Sequence, residues 1–346
     1  VFVSVFIPRF LLLRRLWWIG KHTSKVEQQA SRFTPAFRRL LEKRNLRKDS
    51  EIESFLFSGL SDLFDPFLMK NMREVKTRIE QAVKAQEKIL IHGDYDADGI
   101  TGVAVMACTL KKLGGIYTTF LPERERDGYG VSEAAIRKAH QQGIRLILTV
   151  DCGITAKKEI EIARKLDMEV IVIDHHRLPA DGLPNTHLIL NPLQKDCAYP
   201  FKELSAAGLA FKLSQALLGG QALEYLDLVT LSTISDIAPL VSENRILVKK
   251  GLEILSERKN LGIRALAEVA KLKAQKIDTG HVGFILGPRL NAAGRMSSPD
   301  TALQLLLTQE PREAESLARI LNEENKARQQ SEKEITREAV QRTEKT

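Results

Sequence analysis

Apolar positions along this chain follow two rhythms, and the change from one to the other divides it. Between residues 88 and 190 short apolar runs recur at 89–91, 116–121, 146–150, 170–173 and 188–190. Runs this short, bounded by turn residues, predict buried strands. Between them lie helix-period stretches: 100–113, ended by Gly114 and Gly115; 132–142, opened by Ser132 as N-cap and ended by Gly143; and 156–166. Strands alternating with helices of about a dozen residues predict a parallel sheet of about five strands covered by helices. In such a sheet ligands gather at the carboxyl ends of the strands.

On either side the pattern is helical. Upstream, helices are predicted at 35–42, 51–57 and 71–85, the last with Met72, Val75, Ile79 and Val83 at helical spacing. Beyond Pro192 they are predicted at 205–218, 222–235, 243–256, 263–271 and 282–293. From Glu310 the residues are mostly charged or Gln, with Leu317, Ile320 and Leu321 as the few apolar anchors. That composition predicts a long solvated helix of the kind that connects domains, so a further domain is expected beyond it.

Length and charge sharpen this picture. The 346 residues suit about two domains. Residues 1–50 hold 12 Lys and Arg against 3 Asp and Glu, a local +9 within a total of +8, so the other 296 residues sum to −1. A basic segment is either a footprint for nucleic-acid phosphates or a solvated arm. Residues 1–20 are apolar, but Pro8, Arg9, Arg14 and Arg15 interrupt them, so a transmembrane helix is rejected and no membrane partner is expected. An amphipathic surface helix remains open there. Cys108, Cys152 and Cys197 show no CxxC spacing, which argues against a zinc knuckle and a disulfide and suits a reducing cytoplasm.

Candidate chemistry collects at three strand ends. The first run delivers His92, Asp94, Asp96 and Asp98 into a loop containing Gly99 and Gly102. In extended or loop backbone the three alternate aspartates share a side, and their repulsion calls for a cation. An Asx-rich turn that only caps the next helix is the competing reading. The run at 146–150 ends in Asp151-Cys152-Gly153, and the run at 170–173 in Asp174-His175-His176. The strand-end rule brings His92, Asp96, Asp98, Asp151 and His175 together. Asp236, in the stretch Thr233-Ile-Ser-Asp-Ile-Ala-Pro239, is a further candidate at the end of an apolar helix.

HGDYDADG at His92, VDCG at Val150, DHH at Asp174 and SDIAP at Ser235 resemble, in order and rough spacing, the four motifs of the DHH phosphoesterase superfamily. LPERERDGYG at Leu121 and GPRLNAAGRM at Gly287 resemble its RecJ-type single-stranded-DNA exonuclease branch. The resemblance covers about residues 50–346.

The resemblance implies two divalent ions, Mn²⁺ or Mg²⁺. One would be held by His92, Asp96 and Asp151, the other by Asp98, Asp151, His175 and Asp236, with Asp151 bridging. Such a pair activates water for phosphodiester cleavage, and the imidazoles favour Mn²⁺. Asp94, Asp98, Asp151 and His176 form the implied catalytic set, with Asp94 and Asp174 orienting ligands and His176 donating to the substrate phosphate. Arg124, Arg289, Asn291 and Arg295 are implied near the substrate backbone, a role that the arginine fork suits.

The division that follows is 1–49, a basic segment whose order is left open; 50–195, the α/β DHH domain with motifs I–III; 196–308, its helical part with motif IV; and 309–346, a connecting helix toward a missing C-terminal domain. The implied function is hydrolysis of single-stranded DNA to mononucleotides, 5′ to 3′, in repair and recombination. A single-strand-binding protein and a helicase are the implied partners of a cytoplasmic monomer. The alternatives are a DHH phosphodiesterase acting on short oligoribonucleotides or cyclic dinucleotides, and an inactive replication scaffold that has lost its metals.

Overall fold

The computed structural model describes residues 33–124, 126–296 and 298–343; expectations for the first 30 residues lie outside them. The described chain falls into two compact units divided between Leu56 and Phe57. In the first, α1 (Pro35–Glu42) is capped by Thr34, and Arg38 pairs with Asp49 at the start of α2 (Asp49–Phe57).

In the second unit, α3 (Met72–Lys84) leads into β1 (Lys88–Gly93), α4 (Ala97–Leu113), β2 (Ile116–Phe120), α5 (Glu133–Gln141), β3 (Leu146–Val150), α6 (Lys157–Lys165), β4 (Glu169–Ile173) and β5 (Ile189–Leu190). The strands form one five-stranded sheet in the order β2-β1-β3-β4-β5, every pair parallel. Near-continuous apolar runs suit strands covered on both faces. Alternation then sorts the side chains: Ile89, Ile91, Leu148, Val150 and Ile173 join the main core, while Leu90, Ile147, Val170 and Val172 meet α5 and α6 in a second core. Chain order reverses direction between β1 and β3, the place where such sheets open a crevice at their carboxyl edge.

The helical part follows as α7 (Ala206–Leu218), a 3₁₀ stretch Gly219–Tyr225, α8 (Leu226–Ser235), α9 (Ser242–Glu257) and α10 (Leu261–Val269). A π-helical turn, Val282–Leu286, then runs into α11 (Gly287–Met296), before α12 (Asp300–Leu307) and α13 (Pro311–Thr343). The helix α4 is buried almost all round and packs against the sheet, α7 and α8, so the sheet and the helical part share one core.

Most expected elements appear within a residue or two of their predicted ends. The first exception is α4, which begins at Ala97 rather than near residue 100, because Asp96 accepts the amides of Asp98 and Gly99 and so nucleates it earlier. The stretch expected as one helix at 222–235 starts as 3₁₀, and that at 282–293 starts as a π-turn. Helix α12 was not anticipated from the sequence; its eight residues follow Pro299, and their apolar run is short. No helix among the described residues is long and apolar enough to cross a membrane.

Candidate metal centre

Three loops at the carboxyl rim build the centre, and each begins where an apolar strand stops. After β1 the chain turns tightly at 94–96 into α4. A Cβ on Gly99 would lie 2.5 Å from the Asp94 carbonyl oxygen, so only glycine permits this turn. Asp96 caps α4 through one oxygen, Oδ1. The cap reading of this loop is borne out, and Asp96 also stands in a group that could hold a metal ion. After β3, Asp151 adopts a left-handed backbone (φ 64°), and its amide donates to the Ile173 carbonyl at 3.0 Å. After β4 come Asp174, His175 and His176.

The side chains converge in three overlapping groups: Asp94, Asp96 and Asp151; Asp151, His175 and His176; and Asp98, His175 and Asp236. Within each, one ligand atom per residue lies within 4.8 Å of the others. The His175 Nε2 sits 3.2 Å from Asp151 Oδ1 and 3.5 Å from Asp98 Oδ2, while its Nδ1 is 4.0 Å from Asp236 Oδ2. Asp98 is gripped from the helical part: it accepts the amides of Ala206 and Ala207 at 2.8 and 2.9 Å and the Ser232 hydroxyl at 2.6 Å. Those amides open α7, so its positive end faces the Asp98 carboxylate.

So many carboxylates in one buried place repel. Burial, then the charge of Asp96, raises Asp94 to about 7. Burial, then Asp98, pushes Asp96 up, and the same two causes hold Asp151 far above the ordinary range. Asp236 rises to about 6 for the same reasons. Asp174 is the contrast: burial would raise it, but the hydrogen bond and charge of His176 prevail and lower it. Its Oδ1 meets the His176 Nδ1 at 2.7 Å, which raises the imidazole in turn.

A buried oxygen normally finds a partner, yet Asp94 Oδ1 and Asp151 Oδ1 have none. Unpaired carboxylate oxygens with two imidazoles beside them are the donor set that a hard or borderline divalent cation satisfies. The residues therefore fit the implied ions.

Placement departs from expectation at several positions. His92 joins none of the three groups: its Nε2 accepts the Ser132 amide at 3.2 Å, and burial lowers its pKa to about 4, keeping it neutral. Asp94 stands in the group where His92 was expected. Asn291 lies beneath the first loop, its Oδ1 accepting the Ala97 amide at 2.8 Å, while Gly294 approaches so closely that a Cβ would be 2.2 Å from the Tyr95 carbonyl. Arg289 is half-buried and donates to Asn322 and to the Ile285 carbonyl. Only Arg124 and Arg295 are exposed among the four expected backbone contacts. The Arg124 guanidinium stands 5.9 Å from the Tyr95 ring centre. Tyr95 meets Tyr129 edge to face at 6.4 Å, and Tyr129 meets His176 in the same way. Neither tyrosine was singled out from the sequence, although Tyr129 stands between Gly128 and Gly130, both at positive φ, a usual mark of a displayed side chain.

Strand-end acids and imidazoles on a parallel sheet define the phosphoesterase class that the motifs suggested, and the DHH family model, N-terminal domain, matches residues 88–233. The single-stranded-DNA-specific exonuclease RecJ of Bacillus subtilis (strain 168) is 43% identical over 311 residues, covering 90% of this chain and 39% of that protein. Its namesake from Escherichia coli (strain K12) is 37% identical over 328 residues, covering 90% and 56%. A crystal structure of exonuclease RecJ bound to manganese superposes with a TM-score of 0.73 at 38% identity, over 79% of this chain and 70% of that one. The chain belongs to the DHH family, in its RecJ branch. It spans about half the length of the curated relatives it matches.

Proposed function

We propose that this chain carries the catalytic core of an exonuclease that hydrolyses single-stranded DNA with two divalent cations, Mn²⁺ or Mg²⁺. The observation that carries the reading is the chain of overlapping acid and imidazole groups in which two buried carboxylate oxygens lack hydrogen-bond partners. Asp94, Asp96 and Asp151 would hold one ion and Asp98, His175 and Asp236 the other, with Asp151 beside both through His175. When bound, the ions supply charge neutralisation at the phosphate and acidify water.

The protein's own groups do the rest. Asp174 orients His176 through Nδ1, which leaves Nε2 directed to the Tyr129 hydroxyl at 3.4 Å and able to donate to a phosphate oxygen. Arg124 offers an exposed guanidinium at the same rim. The Tyr95 and Tyr129 rings give bases a surface to stack on, which suits a single strand because every base has a π-face. The proposal extends to 5′-to-3′ release of mononucleotides by a cytoplasmic monomer in repair and recombination, with a single-strand-binding protein and a helicase exposing the strands. Identity of 37–43% to single-stranded-DNA-specific exonucleases supports the strand preference, and the motif resemblance implies the remainder.

The test is release of nucleotides from 5′-phosphorylated single strands with Mn²⁺, against EDTA and against Asp151→Asn. Mn²⁺-dependent release lost in the variant is expected. No release by the protein under these conditions would refute the reading.

A further inference from the structure

The end of α8, the π-helical turn and the start of α11 line a cleft of about 420 Å³, and none of the acids and imidazoles of the metal centre lines it. Phe284 and Ile237 are the large side chains of its walls, and Gly283, Gly287, Ser235 and Asn291 complete the lining with their neighbours. No Asp, Glu, Lys, Arg or His lines it. The two wall side chains are the most exposed large apolar residues among those described, Phe284 at 84% and Ile237 at 87%.

Both are held out by unusual backbone. Ile237 follows α8 at the position where helices usually end in glycine: its φ is 59°, and the Ala238 amide donates to the Thr233 carbonyl at 3.1 Å. A β-branched residue is poorly suited to left-handed backbone. Phe284 sits on the π-helical turn Val282–Leu286, a device that displaces one side chain from the regular helical register. On the cleft wall the Ser235 hydroxyl is buried without a hydrogen-bond partner, and a Cβ on Gly287 would come within 2.4 Å of it.

We propose that this cleft receives a base of the substrate strand, stacked on Phe284 and clasped by Ile237. The inference rests on the nucleic-acid reading of the adjacent site and deepens it. Three features favour a base as occupant. The cleft adjoins the centre along the chain, since Ile237 follows Asp236 directly, and Asn291, which lines it, also holds the start of the helix after Asp96. It is uncharged and lined in part by glycines, so a flat ring can approach the backbone. Its volume lies toward the small end for ligand pockets, enough for one ring system. The strand would then meet an aromatic surface at this cleft in addition to the Tyr95 and Tyr129 rings.

The experiment compares kcat/KM on 5′-phosphorylated single strands carrying one abasic nucleotide, scanned through the positions near the cleaved end. The wild-type chain should lose about 5- to 100-fold at one position, the worth of one stacked base. Phe284→Ala should lose a similar factor on the intact strand, mainly in KM, and should no longer respond to the abasic nucleotide there. Ile237→Gly should weaken the strand in the same direction while raising thermal stability, which separates its effect from misfolding. If Phe284→Ala cleaves intact strands like the wild type, or keeps the full abasic penalty, the cleft is not a base site while the nuclease reading stands. If the wild type neither binds nor cleaves single strands, the nuclease reading falls and takes this proposal with it.

Discussion

Stripping the metal should make the stability of this protein fall as pH rises; Asp151, held far above the ordinary range, acts in this direction, and the share of Asp94 can be worked out. Its carboxyl is buried, carries an unpaired oxygen and titrates near 7 against an ordinary 3.8. The folded state therefore binds this proton more tightly than the unfolded chain. The stabilisation is fully present below about pH 4 and is lost as pH rises through 7. At about 1.4 kcal/mol per pH unit the whole effect is about 4 kcal/mol, of which about 3 kcal/mol is lost between pH 5 and pH 8. His176, raised by Asp174, acts in the same direction. Asp236 also does so, but its side chain is 31% exposed and water screens much of its share. For a chain of this size the loss corresponds to roughly 5–10 °C in melting temperature. A divalent cation should replace the protons and restore about 2.7 kcal/mol at a hundred times its Kd. The assay is thermal unfolding followed by circular dichroism from pH 5 to 8, in EDTA and in Mn²⁺, for the wild type and for Asp94→Asn. Equal melting at pH 5 and pH 8 in EDTA, or an Asp94→Asn variant with the full pH dependence, would refute the reasoning.

Three other outcomes are expected. Gly99→Ala places a Cβ 2.5 Å from the Asp94 carbonyl oxygen; it should cost about 1–3 kcal/mol in urea unfolding and weaken Mn²⁺ binding in calorimetry, because the loop that carries Asp94 and Asp96 must shift. Asn291→Ala leaves the Ala97 amide without its acceptor and should cost about 1–3 kcal/mol, lowering kcat more than it raises KM, whereas Arg124→Ala should raise KM and leave unfolding unchanged. Lys212 is fully buried against Glu243 at 3.1 Å and donates to the Phe64 carbonyl at 2.6 Å, so Lys212→Met should cost about 3–5 kcal/mol while Mn²⁺ affinity stays at the wild-type value.

By itself the sequence determined what depends on near neighbours. Alternating apolar runs and helical periods specify the strands and helices between residues 88 and 190, because the strand repeat of two and the helix repeat of 3.6 are local properties of the backbone. The same locality places Asp151, Asp174 and His175 at strand ends and Asp236 at the end of an apolar helix, and motif likeness adds their roles. Tertiary structure decided which of these meet. Pairing β1 directly with β3 sets Asp94 and Asp96 beside Asp151, although more than fifty residues separate them in the chain. The start of α7 and Ser232 of α8 hold Asp98, and α11 approaches from nearly two hundred residues away to fasten the first loop through Asn291. Parity along a strand does not show which side chain finds a protein partner, so only the tertiary structure set the Ser132 amide on His92 and brought Asp94 into the group with Asp96 and Asp151. Exposure of Phe284 and Ile237 was equally hidden, since a π-turn and a left-handed helix end depend on what packs around them rather than on the residues themselves.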